Sequence, residues 1–260
     1  MEAGRHLGER GAIRAHVAFV QNGPSGFALP NVVRGAEGLP DNVWYPSALA
    51  DALAGVDVQP GADDLNVFFR ANKAWHYGPP ETQPDSADDF RTVALHEIAH
   101  GLGFATALWT ADGVGSYSLD YWDPSFFPMT FTFPDLEGVP ALFDTFVGED
   151  GGRRLTDPAQ FQNPSRALGT ALAGPLVFNG ACAAAANGGA APPLATGSPS
   201  HLDGDAFPAG SGEYLMTPSS GQPATPVLGP VLVGALADLG WTVRPTGDLT
   251  SAPARRCPGS

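Results

Sequence analysis

Ser86-Ala87-Asp88-Asp89-Phe90-Arg91-Thr92-Val93-Ala94-Leu95-His96-Glu97-Ile98-Ala99-His100-Gly101-Leu102-Gly103 is the stretch whose reading decides the rest of the chain. A hydroxyl followed three residues later by an acid sets up a capping box, so a helix should start there, with acids in its first turn suiting the dipole. It should stop near Gly101-Leu102-Gly103. Within it His96-Glu97-Ile98-Ala99-His100 is an H-E-x-x-H. Residues four apart sit about 5–6 Å from each other on one helical face. Two imidazoles so placed can reach one zinc ion at roughly 2.0–2.1 Å, while Glu97 faces the water beside it. Neutral imidazole holds Zn²⁺ without cancelling its charge, so the ion can acidify water and polarise a carbonyl. A carboxylate must then take the proton and pass it to a leaving amine. The bland alternative is a helix with two surface histidines.

Two helix ligands are not enough, because a hydrolytic zinc site takes three protein groups and keeps a position for water. The short extension of the motif would place a third histidine six residues after His100, where the chain has Thr106. A glutamate roughly twenty residues on is the other common solution. That zone offers Asp112, Asp120 and Asp123 in Gly/Tyr-rich sequence, and no glutamate before Glu137. His6, His16 and His76 precede the motif, and His201 alone follows it, in Ser198-Pro199-Ser200-His201-Leu202-Asp203-Gly204-Asp205. Elimination therefore favours His201 as third ligand. An Asp of the 112–123 stretch is the rival, and a hydrogen-bonded loop histidine is the bland alternative.

Working outward, Ile13 to Val20 and Leu65 to Arg70 read as strands, with a short extended stretch at Trp75-His76-Tyr77. Pro46 with Ser47 to Ala54 and Gly55 reads as a short helix, and Pro230 with Val231 to Leu239 and Gly240 as another. From about Thr110 to Ser200 periodicity is weak, and Ala181 to Pro193 reads as a surface loop. Gly 33 and Pro 26 in 260 residues make roughly 23% of the chain, nearly double the usual share of about 12%. That excludes a helical bundle and predicts short elements joined by shaped loops. A formal charge of −14, with Lys73 the one lysine, repels phosphate backbones and anionic lipid, so no nucleic-acid partner is expected. No run of about 18 apolar residues could span a membrane. Met1 to His6 lacks the apolar core of a signal peptide, so either the protein stays inside the cell or this chain is a mature or trimmed form. Cys182 and Cys257 could form one bridge or remain two thiols.

Taken together, His96-Glu97-Ile98-Ala99-His100-Gly101-Leu102-Gly103-Phe104, a long insertion, Ser200-His201-Leu202, Glu213-Tyr214-Leu215-Met216-Thr217-Pro218 and Ala235 to Trp241 resemble the leishmanolysin-type metzincins. Trp44 to Leu49 and Trp75 to Gly78 are similar to segments of secreted bacterial members. The resemblance covers about residues 40–105 and 195–241. It implies an α+β fold with a small twisted sheet and active-site helix in residues 1–104. Residues 105–260 would form an irregular C-terminal subdomain with the insertion, the third ligand, the Met-turn and a closing helix. It also implies that Gly103 turns the chain towards the third ligand and that Met216 forms an apolar floor without ligating; a gap-filling core methionine is the plainer alternative. The expectation is a secreted, monomeric zinc endopeptidase acting on protein or peptide, with Zn²⁺ on His96, His100 and His201 and with Glu97 as general base. Its rivals are a secreted binding or structural module with a non-catalytic zinc site, and an amidase or deacetylase on a similar site. Asp203-Gly204-Asp205 could touch Ca²⁺, but it lacks the spacing of an EF-hand, and a polar turn is the simpler reading. Tyr214 could lend its hydroxyl to an oxyanion, although a lone aromatic before an apolar turn reads more simply as packed, and His76 reads as structural.

Overall fold

A computed structural model of the chain describes residues 12–117, 138–219 and 221–243. His6, Asp120, Asp123, Glu137 and Cys257 lie outside them. In chain order the first half contains β1 (Ala15–Val20), β2 (Gly26–Pro30), β3 (Val32–Val33), β4 (Tyr45–Pro46), α1 (Ser47–Ala54), β5 (Leu65–Arg70), β6 (Trp75–His76), β7 (Asp88–Asp89) and α2 (Phe90–Gly101). The fold is mixed α/β with small sheets and short helices, compatible with the α+β expectation.

β5 is the centre of the main sheet because its sequence, LNVFFR, is apolar on both faces and buried along most of its length. It pairs in parallel with β1, Ala15 opposite Leu65, and antiparallel with β2, Gly26 opposite Phe69. The order β1-β5-β2 leaves β2 at an edge. α2 lies on one face of this sheet, where Leu65, Val67, Phe69 and Ala28 pack against Val93. The start of α2 differs from the expected capping box. Asp89 is the N-cap, its Oδ1 accepting from Thr92 N and Thr92 Oγ1 at 2.8 Å each, so Ser86 lies outside the helix and the first turn holds no acid. Asp88 and Asp89 are extended and pair with β6, which moves the helix start beyond them. Pro46 likewise precedes α1 as its N-cap rather than sitting inside its first turn, while Gly55 closes that helix in the left-handed conformation.

The second half is more regular than its composition predicts. It holds the hairpin β8 (Leu108–Ala111) and β9 (Val114–Tyr117), then β10 (Val147–Glu149), α3 (Arg166–Leu172), β11 (Leu176–Phe178), α4 (Ala181–Ala186), β12 (Pro193–Leu194) and α5 (Pro230–Leu239). The strands β10, β11 and β12 form an antiparallel sheet in that order. The supposed loop at 181–193 is corrected in its first half: Ala181–Ala186 is helical. Alanine is the strongest helix former, and its small side chain lets α4 lie close against α5, where Gly234 faces the Cys182 backbone with no room for a Cβ. Asp238 of α5 caps α4 from outside, accepting from Cys182 N and Ala183 N at 2.9 Å each. Cys182 is disulfide-bonded. Pro230 opens α5 and Gly240 closes it, as the sequence predicts.

The main core draws on both halves. Phe104 meets Phe143 edge to face and Phe143 meets Phe178 at a tilt, with ring centroids 4.8 and 5.1 Å apart, among Tyr45, Leu49 and Leu236. Fully buried Trp241 donates its indole N–H to Leu102 O at 2.9 Å, tying the end of α5 to the end of α2. Among the described residues no helix is long and apolar enough to cross a membrane.

Candidate metal centre

His96, Glu97 and His100 lie on the buried face of α2, positioned by the helical repeat and by the Asp89 cap that fixes its first turn. Each histidine is oriented by a carbonyl. His96 Nδ1 donates to Leu215 O at 2.6 Å, and His100 Nδ1 donates to Phe104 O at 2.7 Å. Because a carbonyl can only accept, these bonds put the proton on Nδ1 and leave the Nε2 lone pairs turned to one another, 3.0 Å apart. Two buried lone pairs at that distance repel unless a cation or proton lies between them. The pair is therefore suited to share a cation or a proton.

His201 completes the group. Its ring centroid is 5.2 Å from that of His96 and 4.9 Å from that of His100, close to the 4.6 Å between the helix pair. The three side chains offer ligand atoms within 4.8 Å of one another, close enough to hold a metal ion, and form the only such grouping of His, Cys, Asp or Glu among the described residues. His201 Nδ1 is 2.8 Å from Ser198 Oγ. Its loop is pinned by Ala195 N to His201 O (2.9 Å) and by Leu202 N to Met216 O (2.8 Å). The short 3₁₀ turn Tyr214–Met216 thus serves both sides of the site, its Leu215 carbonyl holding His96 and its Met216 carbonyl holding the His201 loop. Met216 itself is fully buried.

The pKa values follow from burial. Desolvation lowers His96, against its bond to Leu215. It lowers His100 well below the usual range, with His96 and His201 adding to the effect. His201 is pushed down to about 4 by burial and then by His96. All three imidazoles are therefore neutral and available as ligands at pH 7. Glu97 is pushed up to about 8 by burial alone.

Glu97 and the three histidines line a cavity of about 600 Å³ that runs beside edge strand β2, past Phe27 and Leu29, to Ala105, Thr106 and Ser200. Gly26 makes this close approach possible: a Cβ there would lie 2.6 Å from both Glu97 Oε1 and Val93 Cγ1. The remaining predicted residues lie elsewhere. Asp112 sits at the exposed tip of the β8–β9 hairpin with φ 50°, beside Gly113, where an Asp-Gly pair suits the tight turn, and it takes no part in the site. Asp203 spends its carboxylate within its own loop, on Asp205 N and Ala206 N. Tyr214 is buried with its hydroxyl 2.8 Å from Ser219 O and 2.9 Å from Gln222 O. His76 bonds Pro79 O at 2.9 Å.

Two contributors were not visible in the sequence. Gly26 gives no signal, since its role is the space it leaves. Asp144 is fully buried and accepts from Thr106 Oγ1 (2.6 Å), Ala107 N (3.2 Å) and Ala141 N (2.9 Å). Thr106, which occupies the position of the missing short-spaced histidine, also donates its N–H to Ser200 Oγ at 3.1 Å, next to His201. Burial pushes Asp144 up to about 7 against its three donors. The one hint in the sequence is an acid set among large apolar residues in Leu142-Phe143-Asp144-Thr145-Phe146. Comparison of the chain with protein-family models, with curated proteins and with solved structures finds no match to any of them.

Proposed function

We propose that this protein is a zinc-dependent endopeptidase with a metzincin-like architecture. The carrying observation is the convergence of His201 on the His96–His100 pair with a carboxylate, Glu97, on the same cavity wall. The three imidazoles would hold the ion through Nε2 of the helix pair and a ring nitrogen of His201. When bound, zinc supplies a Lewis acid that acidifies water, polarises a carbonyl and draws Glu97 towards its ionised form. Glu97 then accepts the proton of the attacking water at a carboxylate oxygen and delivers it to the departing amide nitrogen. The low-dielectric wall around it keeps that proton from bulk solvent. The carbonyls of Leu215 and Phe104 hold the two helix imidazoles in the required tautomer throughout.

The position of β2 supports an extended substrate. Among the described residues it is an edge strand of its sheet, and its residues Gly26 to Pro30 line the cavity, which suits a peptide laid alongside it in extended form. The disulfide at Cys182 supports a location outside the cell, where such bonds persist. The metzincin-like reading draws on α2 ending just before Gly103, at φ 110°, and on the buried Met216 turn that braces His96.

Glu97→Gln is the decisive variant. It should lower peptide hydrolysis by roughly 10²–10⁴-fold, the worth of a general base, while zinc content by metal analysis stays equal to that of the unaltered protein. Hydrolysis retained in that variant overturns the role.

A further inference from the structure

We propose that Arg70 is a specificity residue that receives a carboxylate of the substrate; this rests on the peptidase reading of the same cavity. Arg70 ends β5 and lines the cavity at the end where β2 begins, its backbone N donating to Ser25 O at 3.0 Å. Among the described residues it is the only Lys or Arg on the cavity wall and Glu97 the only acid; the rest is mainly Pro, Ala, Val, Leu and Phe with a few hydroxyls and the histidines.

Of the eight Lys and Arg among the described residues, four are ion-paired: Arg14 with Asp57, Lys73 with Asp88, Arg91 with Asp89 and Arg153 with Glu149. Arg34, Arg70, Arg154 and Arg166 are not; Arg34 lies over the Trp44 ring and Arg154 bonds main-chain carbonyls, whereas Arg70 lines the cavity. Asp88, which accepts from the Ser25 hydroxyl at the same end of the cavity, is already paired with Lys73 at 2.9 Å. Arg70 is nonetheless held in place. Its Nε donates to Asn72 Oδ1 at 2.9 Å, and its carbonyl accepts the indole N–H of Trp75 at 3.0 Å. The Nε bond fixes the plane of the guanidinium and leaves the Nη donors for a ligand. A planar fork of N–H groups beside an apolar wall matches a carboxylate, which accepts two parallel bonds. The ligand carboxylate is either an Asp or Glu side chain of the peptide or its C-terminus.

The test uses short fluorescent peptides in matched pairs: one central Glu against Gln, and a free C-terminus against its amide. The unaltered protein should favour the carboxylate member of one pair by roughly 10–100-fold in kcat/KM, the range expected of a charge-assisted pair. Arg70→Gln should bring that ratio to about one, and Arg70→Glu should turn the preference towards a Lys peptide. Preference in the Glu/Gln pair identifies a side chain, and preference in the acid/amide pair identifies the terminus. A ratio near one in the unaltered protein, or a ratio unmoved by Arg70→Gln, overturns the assignment. Fluorescence anisotropy with the same peptides separates the two claims. If binding depends on Arg70 but nothing is cut, the peptidase reading fails and Arg70 stands. Cleavage without discrimination has the opposite meaning.

Discussion

α2 and the strap from Pro193 to Thr217 each deliver donors to the same cluster by opposite means. On α2, His96 and His100 meet because one helical turn brings them together, and a single cap, Asp89, sets the start. In the strap, His201 stands in a segment whose longest regular element is a three-residue turn. Its position comes from a lattice of main-chain bonds: Ala195 to His201, His201 to Ser198, and Leu202 to Met216. Each is worth only about 0.5–1.5 kcal/mol, but together they leave the ring one place to be. A periodic element thus positions ligands through its repeat, whereas irregular chain does so through many specific contacts. Removing a side chain and removing a support should therefore have different consequences on the two sides.

The largest difference should come from His201→Ala. The strap's bonds are made by its backbone, so the fold should remain, with an unchanged circular dichroism spectrum. Zinc affinity should fall well beyond the roughly 10–100-fold loss typical of disturbing an outer-shell partner. Equal zinc content in this variant and the unaltered protein would remove His201 from the site. Asp112 could not replace it from its hairpin tip, and attention would return to Asp120 and Asp123.

Trp241 asks whether the two regions stand or fall together. Its ring is fully buried in the core shared by residues before and after 104, and its N–H holds the end of α2. Trp241→Ala should lower unfolding stability by about 3–5 kcal/mol. The loss should appear in a single transition whether followed by tryptophan fluorescence or by zinc release. Two separate transitions would mean that the helix side and the strap side fold as independent units, and the comparison would have to be redrawn as one between domains.

The same contrast explains what could be read beforehand. β5, α2 and α5 announce themselves through local pattern: an apolar run, a spaced pair of histidines, and Pro and Gly at the two ends of a helix. His201 was reached by counting histidines, which works because only one follows the motif. Asp144, Gly26 and α4 could not be read this way. Asp144 owes its role to donors at Thr106 and Ala107, nearly forty residues upstream, and Gly26 to the atoms of Glu97 and Val93. α4 is short and Ala-rich, and becomes a helix end with a capped N-terminus only when Asp238, more than fifty residues later, folds back onto it. What escaped the sequence is contact between distant segments, and that is also what builds the strap.

Asp144 gives the smallest effect and the sharpest test, because it supports the strap side without touching the cluster. Asp144→Asn sets an amide N–H₂ against backbone N–H groups that now find a carboxyl oxygen, which should cost about 1–3 kcal/mol near pH 4, where the carboxyl is neutral. The pH dependence of that loss reports the charge on Asp144. Burial raises its pKa from the ordinary 3.8 to about 7 in the folded protein. Between those values the folded state holds a proton that the unfolded chain has released, so the carboxyl's contribution is full below 3.8 and is lost as pH rises through about 7. Asn at this position does not titrate. The stability of the unaltered protein relative to Asp144→Asn should therefore decline from pH 4 to pH 7 and then level off, as read by chemical denaturation of the metal-free forms. A relative gain on raising the pH would mean that Thr106, Ala107 and Ala141 outweigh desolvation and keep the carboxylate ionised. The wall beside Ser200 would then be braced by a buried charge rather than by a neutral acid.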